Sequence, residues 1–206
     1  LDWELDNSSG TLWDLVVTAQ QDFVNTGNNT SFFNAGHVSG STTNGIHNQG
    51  SFETLINSGI ITSNGKSGIF NNTSATITNL TNSGVISSVK SSSLYNIGTI
   101  SSLENSGTIS AGEDNGINNE GIIGNISNTG TISAGNYVGI FNNTSATITN
   151  LTNSGVISSV KSSSLYNIGT ISSLENSGTI SAGEDNGINN TGTIDYILNT
   201  GTISAS

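Results

Sequence analysis

The sequence predicts an all-β fold: a single parallel β-helix, or β-solenoid, of about eight coils of ~23 residues held together by ladders of asparagine. Three observations predict it. A seven-residue phrase, apolar-x-Asn-x-Gly-x-apolar, recurs sixteen times from Phe23 onward; Leu103, Glu104, Asn105, Ser106, Gly107, Thr108, Ile109 is one copy. Its glycines step by nine residues within a pair, as from Gly98 to Gly107, and by 23 or 25 from pair to pair, as from Gly84 to Gly107 or Gly59 to Gly84. The middle residue is Asn in all sixteen copies, whereas the Gly is replaced by Ala at Ala75 and Ala146.

Alternate residues of an extended chain share one side. Leu103, Asn105, Gly107 and Ile109 therefore face a core, and Glu104, Ser106 and Thr108 face water. Two phrases make one coil. A longer period overlies this one: Gly68 to Asn119 recurs unchanged as Gly139 to Asn190, displaced by 71 residues, which is 25 plus 23 plus 23. Such identity is the mark of recent tandem duplication and of a modular spacer, a pattern with no evident use in an enzyme with one active site.

Residues 1–22 do not fit the phrase and form an N-terminal cap or leader, with the solenoid occupying 23–206. Thr11 and Asp14 resemble a capping box, and Leu12, Val16, Ala19 and Phe23 share a helical face. The reading favoured is a short helix closing the first coil, with irregular strands or a disordered leader as alternatives. The chain opens without Met at Leu1 and stops at Ser206 inside the repeat, so it reads as a piece of something longer, and a last coil without a follower would offer unpaired strand edges.

From Phe23 the coils stack in columns. One begins each first phrase: Phe23, Ile46, Ile69, Leu94, Ile117, Ile140, Leu165, Ile188. Its partner is Phe32, Leu55, Leu80, Leu103, Ile126, Leu151, Leu174, Ile197. The closing positions, such as Val38, Phe52, Ile61, Ile86, Ile109, Ile132, Ile157, Ile180 and Ile203, are apolar with Asn29 the one polar exception. Each such burial contributes about 1.5–3 kcal/mol, against the ordering cost of a Gly- and Ser-rich chain.

The asparagines form two ladders: Asn25, Asn48, Asn71, Asn96, Asn119, Asn142, Asn167, Asn190, and Asn34, Asn57, Asn82, Asn105, Asn128, Asn153, Asn176, Asn199. A buried amide is costly unless bonded. Stacked roughly 4.8 Å apart, successive amides bond one another and the carbonyls at the bends. Glycine two residues later lets the chain turn where a side chain would strike the next coil, giving bends near Asn-x-Gly and a triangular section.

Links of about seven residues close each coil, with turn dipeptides at Asn44-Gly45, Asn64-Gly65, Asn115-Gly116 and Asn186-Gly187. The 23-residue step sets Lys90 over Glu113 and Lys161 over Glu184 as rungs of a charge ladder worth only about 0–1 kcal/mol each when exposed. The two extra residues of the 25-residue coils fall within Ile69–Ile77 and Ile140–Ile148, where a bulge or a longer strand is expected.

Composition narrows the function. The 206 residues are 32% hydrophobic, contain no Pro, Cys or Met, and carry three basic against fourteen acidic side chains, a formal charge of -11. That balance excludes nucleic-acid binding and disfavours an anionic membrane surface. Disulfides and thiol chemistry are excluded, and no run is long enough to insert into a membrane.

The recurrent Asn-Ser-Gly-Thr-Ile-Ser and Asn-Thr-Gly-Thr-Ile-Ser phrases resemble the passenger repeats of bacterial type V secreted surface proteins: autotransporter adhesins and, more distantly, filamentous-haemagglutinin-like proteins. The resemblance spans about residues 23–206. It implies a right-handed β-helix displayed on a Gram-negative outer surface as an adhesin, a self-association surface or a stalk, with partners that are further copies or a surface glycan or protein receptor. It also implies a signal peptide and a translocator barrel, neither of which lies in these residues. The repeat specifies architecture far more closely than activity.

Candidate chemistry is sparse. A β-helix polysaccharide-active enzyme needs grouped carboxylates, but Glu104 recurs as Glu175 and Glu113-Asp114 as Glu184-Asp185 within duplicated sequence, and Glu53, Glu120 and Asp195 lie far apart. These read as solubilising face and link residues, with calcium at Glu113-Asp114 and its copy as the alternative. The Gly-Gly-x-Gly-x-Asp calcium phrase is absent. His37 and His47 lack further ligands, so no metal site and no cofactor are expected. The Asn-x-Ser/Thr sequons, as at Asn29, Asn72 and Asn79, are what so Asn-, Ser- and Thr-rich a chain holds by chance.

Two surface features remain. Phe70, Tyr95, Phe141 and Tyr166, beside Ile97, Ile122 and Ile168, make an aromatic and apolar stripe on a Ser/Thr surface, suited to a partner or a sugar; β-propensity filling of a strand is the plainer account. Ranks of hydroxyls, Ser58, Ser83, Ser106, Thr129, Ser154 and Ser177 beside Thr108, Thr131, Thr179 and Thr202, raise an ice-binding solenoid as a rival, interrupted at Val85 and Val156. The sequence reading favoured is a non-enzymatic repeat segment of a bacterial cell-surface adhesin, extracellular on the outer cell surface and not itself inserted in a membrane.

Overall fold

A computed structural model describes residues 20–206. The chain winds into a solenoid of three parallel sheets with eight, eight and nine strands. The coil at Leu94 shows the plan. Leu94–Asn96 belongs to sheet I, Thr99–Asn105 to sheet II and Thr108–Ala111 to sheet III, after which a link returns the chain to sheet I at Ile117. Strand pairing is with the coil before and the coil after: Leu94 lies between Ile69 and Ile117, Leu103 between Leu80 and Ile126, Ile109 between Ile86 and Ile132. Gaps of 23 and 25 residues thus become adjacent layers.

The period-2 pattern decides each strand's faces. In sheet I, Leu94 and Asn96 are buried and Tyr95 points out. In sheet III, Ile109 and Ala111 are buried between Thr108 and Ser110. Sheet II breaks the alternation. Its seven-residue strand joins the end of one phrase to the start of the next, so Ile100 and Leu103 both face inward, and Ser101 and Ser102 between them face outward together.

The core is a column of Ile and Leu with almost no exposed surface, from Ile46 to Ile180. At its N-terminal end it becomes aromatic: Phe23, Phe32 and Phe52 pack with ring centroids 4.6–6.2 Å apart. In the coil nearest Ser206, Ile197 and Ile203 are 50% and 37% exposed.

Both Asn ladders are continuous. Each amide nitrogen donates to the Oδ1 of the next coil's Asn, for example Asn82 to Asn105 at 2.7 Å and Asn105 to Asn128 at 2.8 Å. Asn105 Nδ2 also reaches the Thr131 carbonyl at 3.1 Å and the Gly107 carbonyl at 3.3 Å. Its backbone carbonyl accepts from the N–H groups of Thr129 and Gly130 at 2.8 and 3.0 Å. The buried corner therefore leaves its side-chain amide satisfied at both ends. Asn29, the polar exception among closing positions, has a role here: its Nδ2 donates to Asn25 Oδ1 at 2.5 Å, supplying a donor to the first rung of the ladder.

Glycine is required at the corner by the layer beneath. A Cβ on Gly107 would sit 2.1 Å from the Gly84 carbonyl oxygen. Bends fall at Asn-x-Gly, and three sheets around one core give the triangular section.

Three readings are corrected. The solenoid begins at Gln20, since Gln20–Gln21 pairs with Val38–Ser39 in sheet III; the rest of the cap expected over 1–22 lies outside the described residues. The extra pair of the 25-residue coils makes neither a bulge nor a longer strand. Ile69–Asn71 and Thr76–Asn82 keep the usual three and seven residues. The insertion is a tight turn in which Ala75 N–H donates to the Asn72 carbonyl at 3.0 Å and Ser74 takes φ 66°, repeated at Ser145 with φ 67°. In the links the register does set Lys90 beside Glu113, since Glu113 N–H donates to the Val89 carbonyl, but no ion pair closes between them.

Candidate functional site

The outward centre of each sheet I strand forms one rank along the axis: Val24, His47, Phe70, Tyr95, Asn118, Phe141, Tyr166 and Asn189. Three-residue strands permit only one outward side chain, flanked by two buried ones, so whatever occupies this position is held upright and in register with its neighbours. His47 and Phe70 lie 5.1 Å apart by ring centroid, Phe70 and Tyr95 5.2 Å, and Phe141 and Tyr166 5.4 Å. The predicted stripe is thus two patches separated by Asn118. Ile97 and Ile168 border them at the Asn-Ile-Gly corners, both half-buried. Ile122 does not join the rank. It opens a strand of sheet II, between Thr99 and Thr147, and is 50% exposed.

The rings are tilted by 37–52° and lean on one another. Each offers an edge and part of a face rather than a broad flat platform. Tyr95 is tied down further: its hydroxyl donates to Glu120 Oε1 at 2.8 Å. Burial, then the hydrogen bond to Glu120 and the charges of Glu120 and Asp114, push its pKa up to about 12. Tyr166 repeats Tyr95 within the duplicated block, but the residue equivalent to Glu120 is Thr191, just past the end of the identical stretch. Sequence reading missed this bond because it joins residues 25 apart, across a coil boundary.

His47 stands at the N-terminal end of the first patch, with Gln49 Nε2 3.3 Å from its Nδ1. Burial, and then the charge of Lys66, lower its pKa below the ordinary 6.5. On the same rank Asn118 keeps its Oδ1 buried without a partner.

The carboxylates do not converge. Glu104 lies between Thr81 and Ser127, and Glu175 between Thr152 and Leu198. Asp114 is used within the link, accepting from Ser92 Oγ at 2.9 Å and Asn115 Nδ2 at 2.8 Å; Asp185 repeats this with Ser163 and Asn186 at 2.8 and 2.7 Å. Among the described residues no three His, Asp or Glu side chains gather where a metal ion would be held. A concavity of about 310 Å³ on sheet II, lined by Asn28, Asn29, Ser51, Glu53 and Thr78 among others, has Glu53 as its one carboxylate.

The hydroxyl ranks fall on two different parts of the section. Ser58, Ser83, Ser106 and Thr129 occupy the corner and donate to the Asn carbonyl of the preceding coil at 3.2–3.4 Å. Thr108 and Thr131 stand on sheet III with Val85 and Val156 in the same rank. Comparison with protein-family models, curated proteins and solved structures finds no match.

Proposed function

We propose that the chain is a non-enzymatic repeat segment of a bacterial cell-surface adhesin, working outside the cell as a rigid spacer that carries a lateral contact surface. The observation that supports it best is the aromatic rank of sheet I, where His47–Phe70–Tyr95 and Phe141–Tyr166 stand half-exposed on a surface otherwise dominated by Ser, Thr and Asn. Eight coils at roughly 4.8 Å each make the repeats a rod of about 40 Å. Reach comes from the stack, and contact from the rank that the stack holds in line.

The partners proposed are a second copy of the chain or a surface protein receptor, ahead of a glycan, because leaning rings use part of their faces on each other. The test is the double variant Tyr95→Ser, Tyr166→Ser. Sedimentation velocity and binding to glycan and host-protein arrays are compared with the parent chain at equal circular dichroism. Weaker association or binding is the expected result. If both are unchanged in a variant that is still folded, the rank is not the contact surface.

A further inference from the structure

We propose that Asn64 is a site of spontaneous deamidation, whereas Asn44 and Asn115, in the same Asn-Gly dipeptide, are protected by the coil that follows them; Asn186 serves as an uncovered comparison within these 206 residues. Glycine after asparagine is the permissive case, because no Cβ hinders approach of the glycine nitrogen to the side-chain carbonyl. Hydroxide removes the glycine N–H proton and the nitrogen attacks Asn Cγ. The N–Cγ bond forms, the Cγ–Nδ2 bond breaks, and ammonia leaves with a proton taken from water. Water then opens the five-membered imide at either carbonyl, leaving an aspartyl or an isoaspartyl linkage. The net change is one amide plus one water to one acid plus one ammonia, with no oxidant or enzyme.

The reaction needs a glycine N–H free of an acceptor and an amide free to turn. Asn64 meets both conditions. Asn64, Gly65 and Lys66 are all exposed, the Gly65 N–H donates to nothing, and the Asn64 amide makes no hydrogen bond. Asn44 and Asn115 meet neither. They are 8% and 6% exposed. Gly45 N–H donates to the Ser67 carbonyl and Gly116 N–H to the Val138 carbonyl, both at 3.0 Å. Their Oδ1 atoms accept from Ser67 and Val138 N–H, both at 3.1 Å, which pins the amides.

Asn186 is the informative comparison. Gly112 to Asn119 and Gly183 to Asn190 are identical in sequence, so Asn115 and Asn186 have the same neighbours. Within these 206 residues Asn186 is exposed, the Gly187 N–H has no acceptor, and the amide is held only by Asp185 Oδ1 at 2.7 Å. Stacking, and not local sequence, separates the two rates. At Asn64 the product adds a negative charge beside Lys66. An isoaspartyl linkage there also lengthens the backbone of a link pinned by Asn64 N–H on Gly40 O and Lys66 N–H on Ser63 Oγ, both at 2.9 Å.

The 206-residue chain is incubated at mildly alkaline pH, folded and in parallel unfolded in urea, and the four peptides are followed by mass spectrometry with isoaspartyl detection. In urea Asn115 and Asn186 react at the same rate. In the folded chain Asn64 and Asn186 stay within a few-fold of their unfolded rates, while Asn44 and Asn115 slow by about ten-fold or more, since two hydrogen bonds must break first. Equal rates at Asn115 and Asn186 in the folded chain, or an inert Asn64, would overturn the proposal. Neither outcome bears on the aromatic rank.

Discussion

Asn105 shows how much one buried amide carries. It accepts from Asn82 and donates to Asn128, so Asn105→Ala removes the Oδ1 acceptor of one rung and the donor that serves the next. Asn82 keeps its bonds to the carbonyls of Thr108 and Gly84, which limits the loss on that side. A cost of about 2–4 kcal/mol follows from leaving buried polar groups unmade and a small void beside them. Urea unfolding followed by circular dichroism measures it, and Asn199→Ala, at the exposed last rung, should cost clearly less. Tyr95 is a second case at this scale. Its folded pKa of about 12 lies above the ordinary 10, so the stability it contributes is complete below pH 10 and is lost as the pH rises through 12. Ultraviolet titration of the folded chain should show one tyrosine ionising near pH 12, and Glu120→Gln should bring that midpoint down; an unchanged midpoint would remove Glu120 as a cause. The ladder was legible in the sequence because its sixteen members fall at one place in one phrase. The Tyr95–Glu120 bond was not, since nothing within either residue's own phrase points to the other.

Strands, turns and corners follow from the same phrase until an element crosses its boundary. The sheet II strand does so, and the outward pair Ser101-Ser102 interrupts a rule that holds within each phrase taken alone. The two-residue insertions are the other case. Counting placed them correctly between Ile69 and Ile77, but their form depended on Ser74 accepting a left-handed φ, which only the need to regain register requires. A non-glycine residue there carries a conformational cost. Ser74→Gly should therefore stabilise the folded chain by about 0.5–1 kcal/mol, less the entropy glycine returns to the unfolded state. Ser145→Gly should act alike and additively, the two turns being three coils apart. The measurement is the urea midpoint of the single and double variants; a fall in midpoint would mean that the Ser74 side chain, not its backbone, is what the turn uses. The stripe was legible in part for the same reason. Phe70, Tyr95, Phe141 and Tyr166 share a phrase position and fall into one rank, whereas Ile122 is separated from them by a corner whose exact placement the phrase does not set.

The whole molecule is close to one-dimensional, each coil touching only the coils before and after it, so stability is a sum of coil and interface contributions. The duplication makes this testable without introducing any new interface. Deleting residues 68–138 joins Ser67 directly to Gly139, and Gly139–Asn190 repeats Gly68–Asn119 residue for residue. The coil that begins at Ile46 then meets Ile140, Phe141 and Asn142 where it met Ile69, Phe70 and Asn71, and Asn48 again finds an amide oxygen above it. Gly45 N–H still donates to the Ser67 carbonyl, because both residues lie before the junction. His47 is followed by Phe141 and Tyr166, so one aromatic patch of the same composition survives. The shortened chain should fold with parallel-sheet circular dichroism like that of the parent, and small-angle scattering should find its rod shorter by three coils, about 14 Å at 4.8 Å per coil. Its denaturant dependence should fall with the surface lost, because m scales with the area exposed on unfolding. A chain that fails to fold after this deletion would mean that stability depends on contacts beyond nearest neighbours, and the reading of the protein as a stack of interchangeable coils would have to be given up.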